Sequence, residues 1–190
     1  QNPGVDGIVF TGSKEVGMRL IRENAARPVP RPVITEMGGK NPALVMEDAD
    51  LDLAVTGALW GSFATSGQRC TATSRIYVHE RLYSKFEEAF VSSAKRLKLG
   101  PGEDPATDVG PIINGVQLKR IDAYVRGARK AGARLLCGGA IDRDEKRRHG
   151  FFYAPTVFSK VDRSMKIMRE EVFGPVVCLA KVKNFEEALQ

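Results

Sequence analysis

The chain has 190 residues, 43% of them hydrophobic and 27% charged, and a formal net charge of +6. These values are typical of an ordinary globular protein of one or two domains. The densest basic cluster, residues 143–148, also contains acidic side chains, so it indicates a solvated loop and argues against a nucleic-acid partner.

The three cysteines, Cys70, Cys137 and Cys178, are too few and too widely spaced to form a disulfide framework. Only two histidines accompany them, so no metal-ligand spacing is present and we expect no metal site. The sequence begins without the pattern of a signal peptide, and no apolar run is long enough to span a bilayer. We therefore expect a reducing, cytoplasmic location and no membrane partner.

The spacing of apolar residues predicts alternating strands and helices from the start of the chain. A strand is expected over residues 7–10, and Ser13 is a good N-cap for a helix from Lys14 to about Ala26. Prolines end that helix. A short strand over 33–36 then leads into a double glycine, and residues 42–46 have the composition of a buried strand.

The same alternation continues to the end of the sequence. The predicted elements are a helix over 51–65, a strand over 76–79, helices over 81–97 and 117–131, a strand over 135–137, an extended segment over 153–161, a short turn at 164–168, a strand over 176–182 and a helix from Phe185. Strands that alternate with helices predict an α/β fold with a largely parallel sheet. Because the sequence opens one strand before a phosphate-type turn and closes in the first turn of a helix, we expect a longer parent protein.

Cys70 is the first candidate for chemistry, in the segment GQRCT between a helix and a strand. A loop cysteine flanked by glycine and a cation, here Arg69, can have its thiolate stabilised, and a thiolate can attack a carbonyl carbon. The competing interpretation is a buried thiol that acts as a small hydrophobe, which is the commoner fate of a free cysteine. Cys137 and Cys178 lie in apolar strands, and we expect both in the core.

Three other segments carry candidate groups, and each has an ordinary alternative. Glu36 lies just before a double glycine and could face a cleft, where it would act as a general base. The alternative is an ordinary exposed glutamate. FTGS at 10–13 could bind phosphate at a helix start, or be a capped helix only. EEVFGP at 170–175 offers Glu171 to ribose hydroxyls with Phe173 beside it, or a surface glutamate and a core phenylalanine.

Taken together and in order, FTGS, EMGGKNP, GQRCT and EEVFGPV resemble the aldehyde dehydrogenase superfamily, as do DADLDLA, GPIIN and LLCGG. The resemblance runs from about residue 7 to residue 190. It implies an aldehyde-dehydrogenase-like catalytic domain with helices flanking the sheet, preceded by the tail of a Rossmann-like domain. Residues 1–35 would form that tail of the NAD(P)-binding domain, and residues 36–190 part of the catalytic domain.

The resemblance also implies residue roles. Cys70 matches the catalytic nucleophile, and Glu36 matches the base that activates the deacylating water. The residues that match positions around NAD or NADP are Gly12, Ser13, Met37, Gly38, Gln117, Glu171 and Phe173. The implied reaction is oxidation of an aldehyde to a carboxylic acid through a thiohemiacetal and a thioester, in a homo-oligomeric parent.

The sequence also leaves three alternatives open. The 190 residues could be a folded but non-catalytic fragment that lacks most of the cofactor site. They could form a cysteine hydrolase without cofactor, although His79 and His149 are poorly placed to partner the thiol. A nucleic-acid binder is the third, and steep salt dependence would mark it.

Overall fold

The structure is a computed structural model that describes residue 2 and residues 4–190. It contains two compact units, one ending at Gly39 and the other running from Lys40 to Gln190. Glu36 and Met37 therefore lie in the first unit, although the sequence placed them at the start of the catalytic domain. The assignment of residues 1–35 and 36–190 to two functional domains stays a prediction.

The first unit is a βαβ arrangement. Strand β1 (Ile8–Gly12) is followed by helix α1 (Lys14–Ala25), and β2 (Val33–Met37) pairs with β1 in parallel. Ser13 is the N-cap of α1, since its Oγ accepts a hydrogen bond from the Val16 N–H at 3.3 Å, as the sequence predicted. β1 extends two residues beyond its predicted end because its pairing with β2 continues to the register Gly12–Met37.

The second unit is built on a five-stranded sheet with the order β3-β4-β7-β6-β5. Its strands are β3 (Asn41–Val45), β4 (Thr73–His79), β5 (Arg134–Cys137), β6 (Thr156–Ser159) and β7 (Val176–Val182). Every pairing in this sheet is parallel except that of β5 with β6, which is antiparallel. The predicted, largely parallel sheet is confirmed.

Helices cover both faces of this sheet. They are α2 (Leu51–Phe63), α3 (Glu80–Arg96), α4 (Gly115–Lys130), α5 (Lys166–Arg169) and α6 (Phe185–Leu189), with short 3₁₀ helices at Ala64–Gly67 and Glu145–Arg147. Alternate residues of a strand point to opposite faces. In β4, Ile76 and Val78 belong to the core cluster that contains α2 and α3, whereas Tyr77 belongs to the cluster that contains α4 and α5.

Several predicted boundaries differ from the observed ones, among them the start of β4, which is Thr73 and not residue 76. Helix α2 ends at Phe63, not Thr65, because the backbone at Thr65 turns left-handed with φ 53°. The turn expected at 164–168 overlaps the short helix α5, which runs from Lys166 to Arg169. The extended segment expected over 153–161 is a strand only at Thr156–Ser159, and Lys160 follows it with φ 50°.

No helix in the described part of the chain is long and apolar enough to cross a membrane.

Candidate active site

Cys70 is exposed at the edge of the sheet where the parallel strands begin. It lies between the 3₁₀ helix Ala64–Gly67 and the start of β4, in what we call the thiol loop (residues 64–72). Asn41, the first residue of β3, donates from Nδ2 to the carbonyl of Cys70 at 2.6 Å and to that of Ala72 at 3.1 Å. The backbone of the cysteine is therefore fixed while its side chain faces solvent.

The thiol loop contains three consecutive residues with left-handed backbone. The φ angles are 53° at Thr65, 58° at Ser66 and 65° at Gly67. Left-handed backbone costs a residue other than glycine about 1–3 kcal/mol, so surrounding contacts must hold it. Ser66 is buried and donates from Oγ to the Gly110 carbonyl at 2.7 Å. A Cβ at Gly67 would collide with the Gly174 carbonyl, so only glycine lets these two segments approach so closely.

Gln68 holds the other side of the thiol loop with both ends of its amide. Its Nε2 donates to the Pro111 carbonyl at 3.1 Å, and its Oε1 accepts from the Ile113 N–H at 2.9 Å. A side-chain amide used in this way replaces a backbone pairing partner. The loop that carries Cys70 is thus tied to residues more than 40 positions further along the chain.

Gln117 holds the segment that carries Glu171 and Phe173. Its Nε2 donates to the carbonyls of Val172 and Phe173, at 2.8 and 2.9 Å. The N-cap of α4, Asn114, accepts from the Gln117 N–H at 2.9 Å and so fixes the start of that helix. Nothing in the sequence indicated this positioning contact, and the cofactor-binding role of Gln117 stays a prediction.

Phe173 is not a core residue. It is half-buried and has a left-handed φ of 53°, between the buried residues Val172 and Gly174. Glu171 is also half-buried. Because Gly174 packs against Gly67, the structure brings this segment to the thiol loop, and Cys70, Gln117, Glu171 and Phe173 belong to one connected part of the second unit.

Arg69, the cation beside Cys70, contacts helix α2. Its guanidinium carbon lies 4.4 Å from the centre of the Trp60 ring, and one nitrogen donates to the Trp60 carbonyl at 3.5 Å. A guanidinium stacked on indole gains a cation–π interaction. From the sequence we expected Arg69 to stabilise the Cys70 thiolate. In the structure its guanidinium instead contacts Trp60.

Cys137 and Cys178 are buried, as predicted from their apolar strands. Burial raises the pKa of both thiols, that of Cys178 to about 11, because desolvation disfavours the thiolate. At neutral pH both are protonated, and neither competes with Cys70 as a nucleophile.

The remaining predicted residues lie in the first unit, at the carboxyl ends of β1 and β2. Gly12 ends β1 and Ser13 follows it, whereas Glu36 and Met37 end β2 and Gly38 follows them. Glu36 is exposed and pairs in register with Thr11. The Met37 side chain packs against Gly17 of α1, where a Cβ would meet its sulfur at 2.6 Å. Ligands of parallel α/β folds bind beyond the carboxyl ends of strands, which is where these residues are.

Neither histidine is placed to partner the thiol. His79 is the N-cap of α3, and its Nδ1 accepts from the Arg81 N–H at 3.3 Å. It ends β4, whose seven residues separate it from the Cys70 edge by about 20 Å at roughly 3.3 Å per residue. His149 accepts from Arg148 in an exposed loop. These positions disfavour a cysteine hydrolase. Within the described residues, no group of three or more His, Cys, Asp or Glu could hold a metal ion.

The chain is similar to known proteins over its whole length. The aldehyde dehydrogenase family matches residues 1–190. Retinaldehyde dehydrogenase 3 of Mus musculus is 44% identical over 189 residues, which cover 100% of this chain and 36% of the relative. The chloroplastic betaine aldehyde dehydrogenase of Beta vulgaris is 39% identical, with 100% of this chain and 37% of the relative covered. The chain thus spans little more than a third of these relatives.

Solved structures of aldehyde dehydrogenases also resemble this chain. Betaine aldehyde dehydrogenase from Staphylococcus aureus in complex with NAD+ has a TM-score of 0.95 at 39% identity, over 98% of this chain and 36% of that one. An aldehyde dehydrogenase from Bacillus cereus has a TM-score of 0.91 at 37% identity, over 97% and 36% of the two chains. The predicted fold class is confirmed by these likenesses.

Proposed function

This chain belongs to the aldehyde dehydrogenase family, and we propose that the protein of which it forms part oxidises an aldehyde to a carboxylic acid with NAD or NADP. The observation that carries the proposal is the state of Cys70. It is exposed on a loop that is fixed from several sides, whereas Cys137 and Cys178 are buried with raised pKa values. A fixed, accessible thiol next to the segment of Glu171 and Phe173 is what a covalent step at a carbonyl carbon requires.

In the proposed reaction the Cys70 thiolate adds to the aldehyde carbon, and the carbonyl oxygen becomes the oxyanion of a thiohemiacetal. The Cys70 N–H is one donor that could stabilise this charge. The hydrogen bonds from Asn41 hold the backbone on which that N–H sits. Loss of hydride from the adduct leaves a thioester on Cys70. Water then attacks the acyl carbon, the carbon–sulfur bond breaks, and the acid leaves.

Glu36 is proposed as the base that takes the proton of that water. Its carboxylate is exposed at the end of β2, before Gly38 and Gly39, so it is accessible to solvent. This role requires Glu36 and Cys70 to face one cleft, which remains part of the proposal. A hydrolytic second step distinguishes this reaction from acyl transfer to a thiol acceptor.

NAD or NADP is the proposed cofactor, and each unit contains side chains or backbone groups chemically suited to part of it. When bound, it accepts the hydride lost by the adduct. Gly12 and Ser13 are exposed at the start of α1, where backbone N–H groups and the helix dipole favour a phosphate. Glu171 offers a carboxylate to ribose hydroxyls, and the half-buried Phe173 offers an apolar face. Met37, Gly38 and Gln117 complete the proposed cofactor residues. The Staphylococcus aureus relative was crystallised with NAD+.

Further parts of the proposal concern the whole protein. Residues 1–35 would complete a cofactor domain and residues 36–190 would belong to the catalytic domain. The protein would act in the cytoplasm on a small-molecule aldehyde. It would form a homo-oligomer, because Leu53 and Trp60 expose 72% and 66% of their surface on α2, and another copy could bury them.

The direct test is turnover of the full-length protein with short aldehydes and NAD or NADP, followed by absorbance of the reduced nicotinamide. The proposal predicts activity that Cys70→Ser abolishes. Cys137→Ser, at a buried thiol remote in sequence, is the matched control and should keep the activity if the variant folds. Turnover that survives Cys70→Ser would overturn the proposal.

A further inference from the structure

A cavity of about 530 Å³ in the second unit has a strongly cationic lining. Four of the lining side chains are the cations Lys40, Arg75, Arg163 and Arg169, and the described lining contains no Asp or Glu side chain. Pro42, Leu44 and Met168 supply apolar wall. The reaction proposed above uses none of these residues.

Two of the lining side chains each carry a buried nitrogen atom without a hydrogen-bond partner among the described residues. These atoms are Nζ of Lys40 and Nε of Arg75. A terminal nitrogen of Arg75 donates to the Lys40 carbonyl, and its guanidinium carbon lies 5.9 Å from the centre of the Tyr77 ring. These contacts fix the orientation of the guanidinium but leave Nε unused. Burial of polar hydrogen-bond donors without acceptors is unfavourable, so the arrangement calls for an acceptor.

The electrostatics of Lys40 agree with this geometry. The pKa of Lys40 is lowered to about 8, mainly because the ammonium group is buried; Cys178 and Glu171 act to raise it, and the Arg75 charge acts to lower it. Arg163 and Arg169 are exposed at the mouth and add positive charge. The effects of Cys178 and Glu171 therefore do not compensate for the loss of water around the ammonium group.

We propose that this cavity is a binding site for an oxyanion, the carboxylate or phosphate group of a small molecule, with Lys40 and Arg75 as its direct ligands. The planar guanidinium and the ammonium group are the donors that bind such groups most strongly. Leu44 and Met168 would contact the carbon part of the ligand, and Arg163 and Arg169 would attract the anion to the mouth. The inference does not depend on the proposed oxidation.

The test uses the 190-residue protein and two probes, inorganic phosphate and succinate, each titrated at constant ionic strength with chloride as the balancing ion. Side-chain NMR signals of labelled Lys and Arg report binding. We expect saturable shifts at Lys40 and Arg75, and a rise in the pKa of Lys40 as the probe saturates, since a bound anion favours the ammonium form. Comparing the two probes decides whether the site prefers phosphate or carboxylate.

Lys40→Gln should weaken binding of the preferred probe by about tenfold or more, the scale of one lost charge-assisted hydrogen bond. Lys130→Gln is the matched control, because it removes the same charge from the exposed end of α4 and should leave affinity unchanged. If Lys40→Gln does not fold, the test is whether the pKa of Lys40 in the unmodified protein rises as the probe binds. Equal affinity in the two variants, or a Lys40 pKa that neither probe moves, would overturn the proposal.

Discussion

Cys70 differs from the other two cysteines in its surroundings rather than in its chemistry. Its side chain is exposed, and its backbone carbonyl is held by Asn41. Cys137 and Cys178 are 9% and 0% exposed, and burial raises the pKa of both. Sequence alone left open whether Cys70 is a nucleophile or a small hydrophobe, and its exposure removes the second interpretation.

We therefore predict that brief treatment of the folded protein with iodoacetamide at neutral pH labels Cys70 at least about tenfold faster than either other thiol, because only an accessible thiolate reacts. Peptide mass spectrometry after quenching measures the three rates. Labelling in denaturant, where all three thiols should react alike, is the control. Faster modification of Cys137 or Cys178 in the folded protein would contradict the assignment.

At the level of elements, the thiol loop depends on contacts between distant segments. Gln68 uses both ends of its amide on Pro111 and Ile113, and Ser66 donates to Gly110. The residues on either side of these contacts are 43–45 positions apart. The position of the loop that carries Cys70 therefore depends on its attachment to residues 110–113.

Gln68→Ala should remove this attachment. We expect a loss of about 1 kcal/mol in the free energy of unfolding, since the Ile113 N–H and the Pro111 carbonyl lose their partner. Hydrogen exchange measured by NMR should show faster exchange of the Ile113 amide. The Ile112 amide donates to the Phe151 carbonyl at 2.7 Å and serves as the internal control.

Gln68→Glu is the conservative comparison. It keeps an oxygen acceptor for Ile113 and loses the donor to Pro111, so protection of the Ile113 amide should survive better than in Gln68→Ala. Unchanged exchange of the Ile113 amide in Gln68→Ala would show that the hydrogen bonds of Gln68 to Pro111 and Ile113 do not hold the thiol loop in solution.

Elements with a clear local pattern were predictable from the sequence. Strand β7 was predicted over 176–182 and is Val176–Val182, and the N-cap Ser13 was identified from its position before an apolar helix. The left-handed run at Thr65–Gly67 was not predictable, because no local feature of Thr65 or Ser66 favours such a backbone. It exists because Gly110 and Gly174 lie beside it.

In the candidate site, too, some features were predictable from the local sequence and others depend on tertiary contacts. Cys70 became a candidate through its motif, whereas the contacts of Asn41, Gln68 and the Lys40–Arg75 pair are tertiary ones that bring distant residues together. An asparagine before a predicted strand is an ordinary polar residue until the partner of its amide is known. These contacts are what a single sequence does not contain.

For the whole molecule, the share of its relatives that the chain covers determines how much of a cofactor site it can contain. The chain spans 36–37% of the relatives it matches, and the cofactor residues proposed within it are a helix start and a few side chains. Such contacts are too few to offset the cost of ordering a large, flexible dinucleotide. The 190 residues alone are therefore expected to fold without supplying a complete cofactor site.

We predict that the isolated 190-residue protein shows no appreciable aldehyde oxidation with millimolar NAD or NADP, followed by absorbance of the reduced nicotinamide. A titration of the chain with NADH or NADPH, followed by the fluorescence of the reduced nicotinamide, should likewise show no tight binding. The full-length protein is the positive control. A Cys70-dependent rate in the isolated chain that approaches the rate of the full-length protein would contradict this expectation.

The most direct test of the central claim, that Cys70 carries the acyl group and Glu36 releases it, uses the full-length protein with Glu36→Gln. On mixing with aldehyde and NAD(P), a burst of reduced nicotinamide should survive, while steady turnover falls by about 10²-fold or more, the scale of a lost general base. Mass spectrometry of the quenched protein should then find the acyl group on the Cys70 peptide. An acyl group on another residue, or loss of the burst together with turnover, would contradict the account.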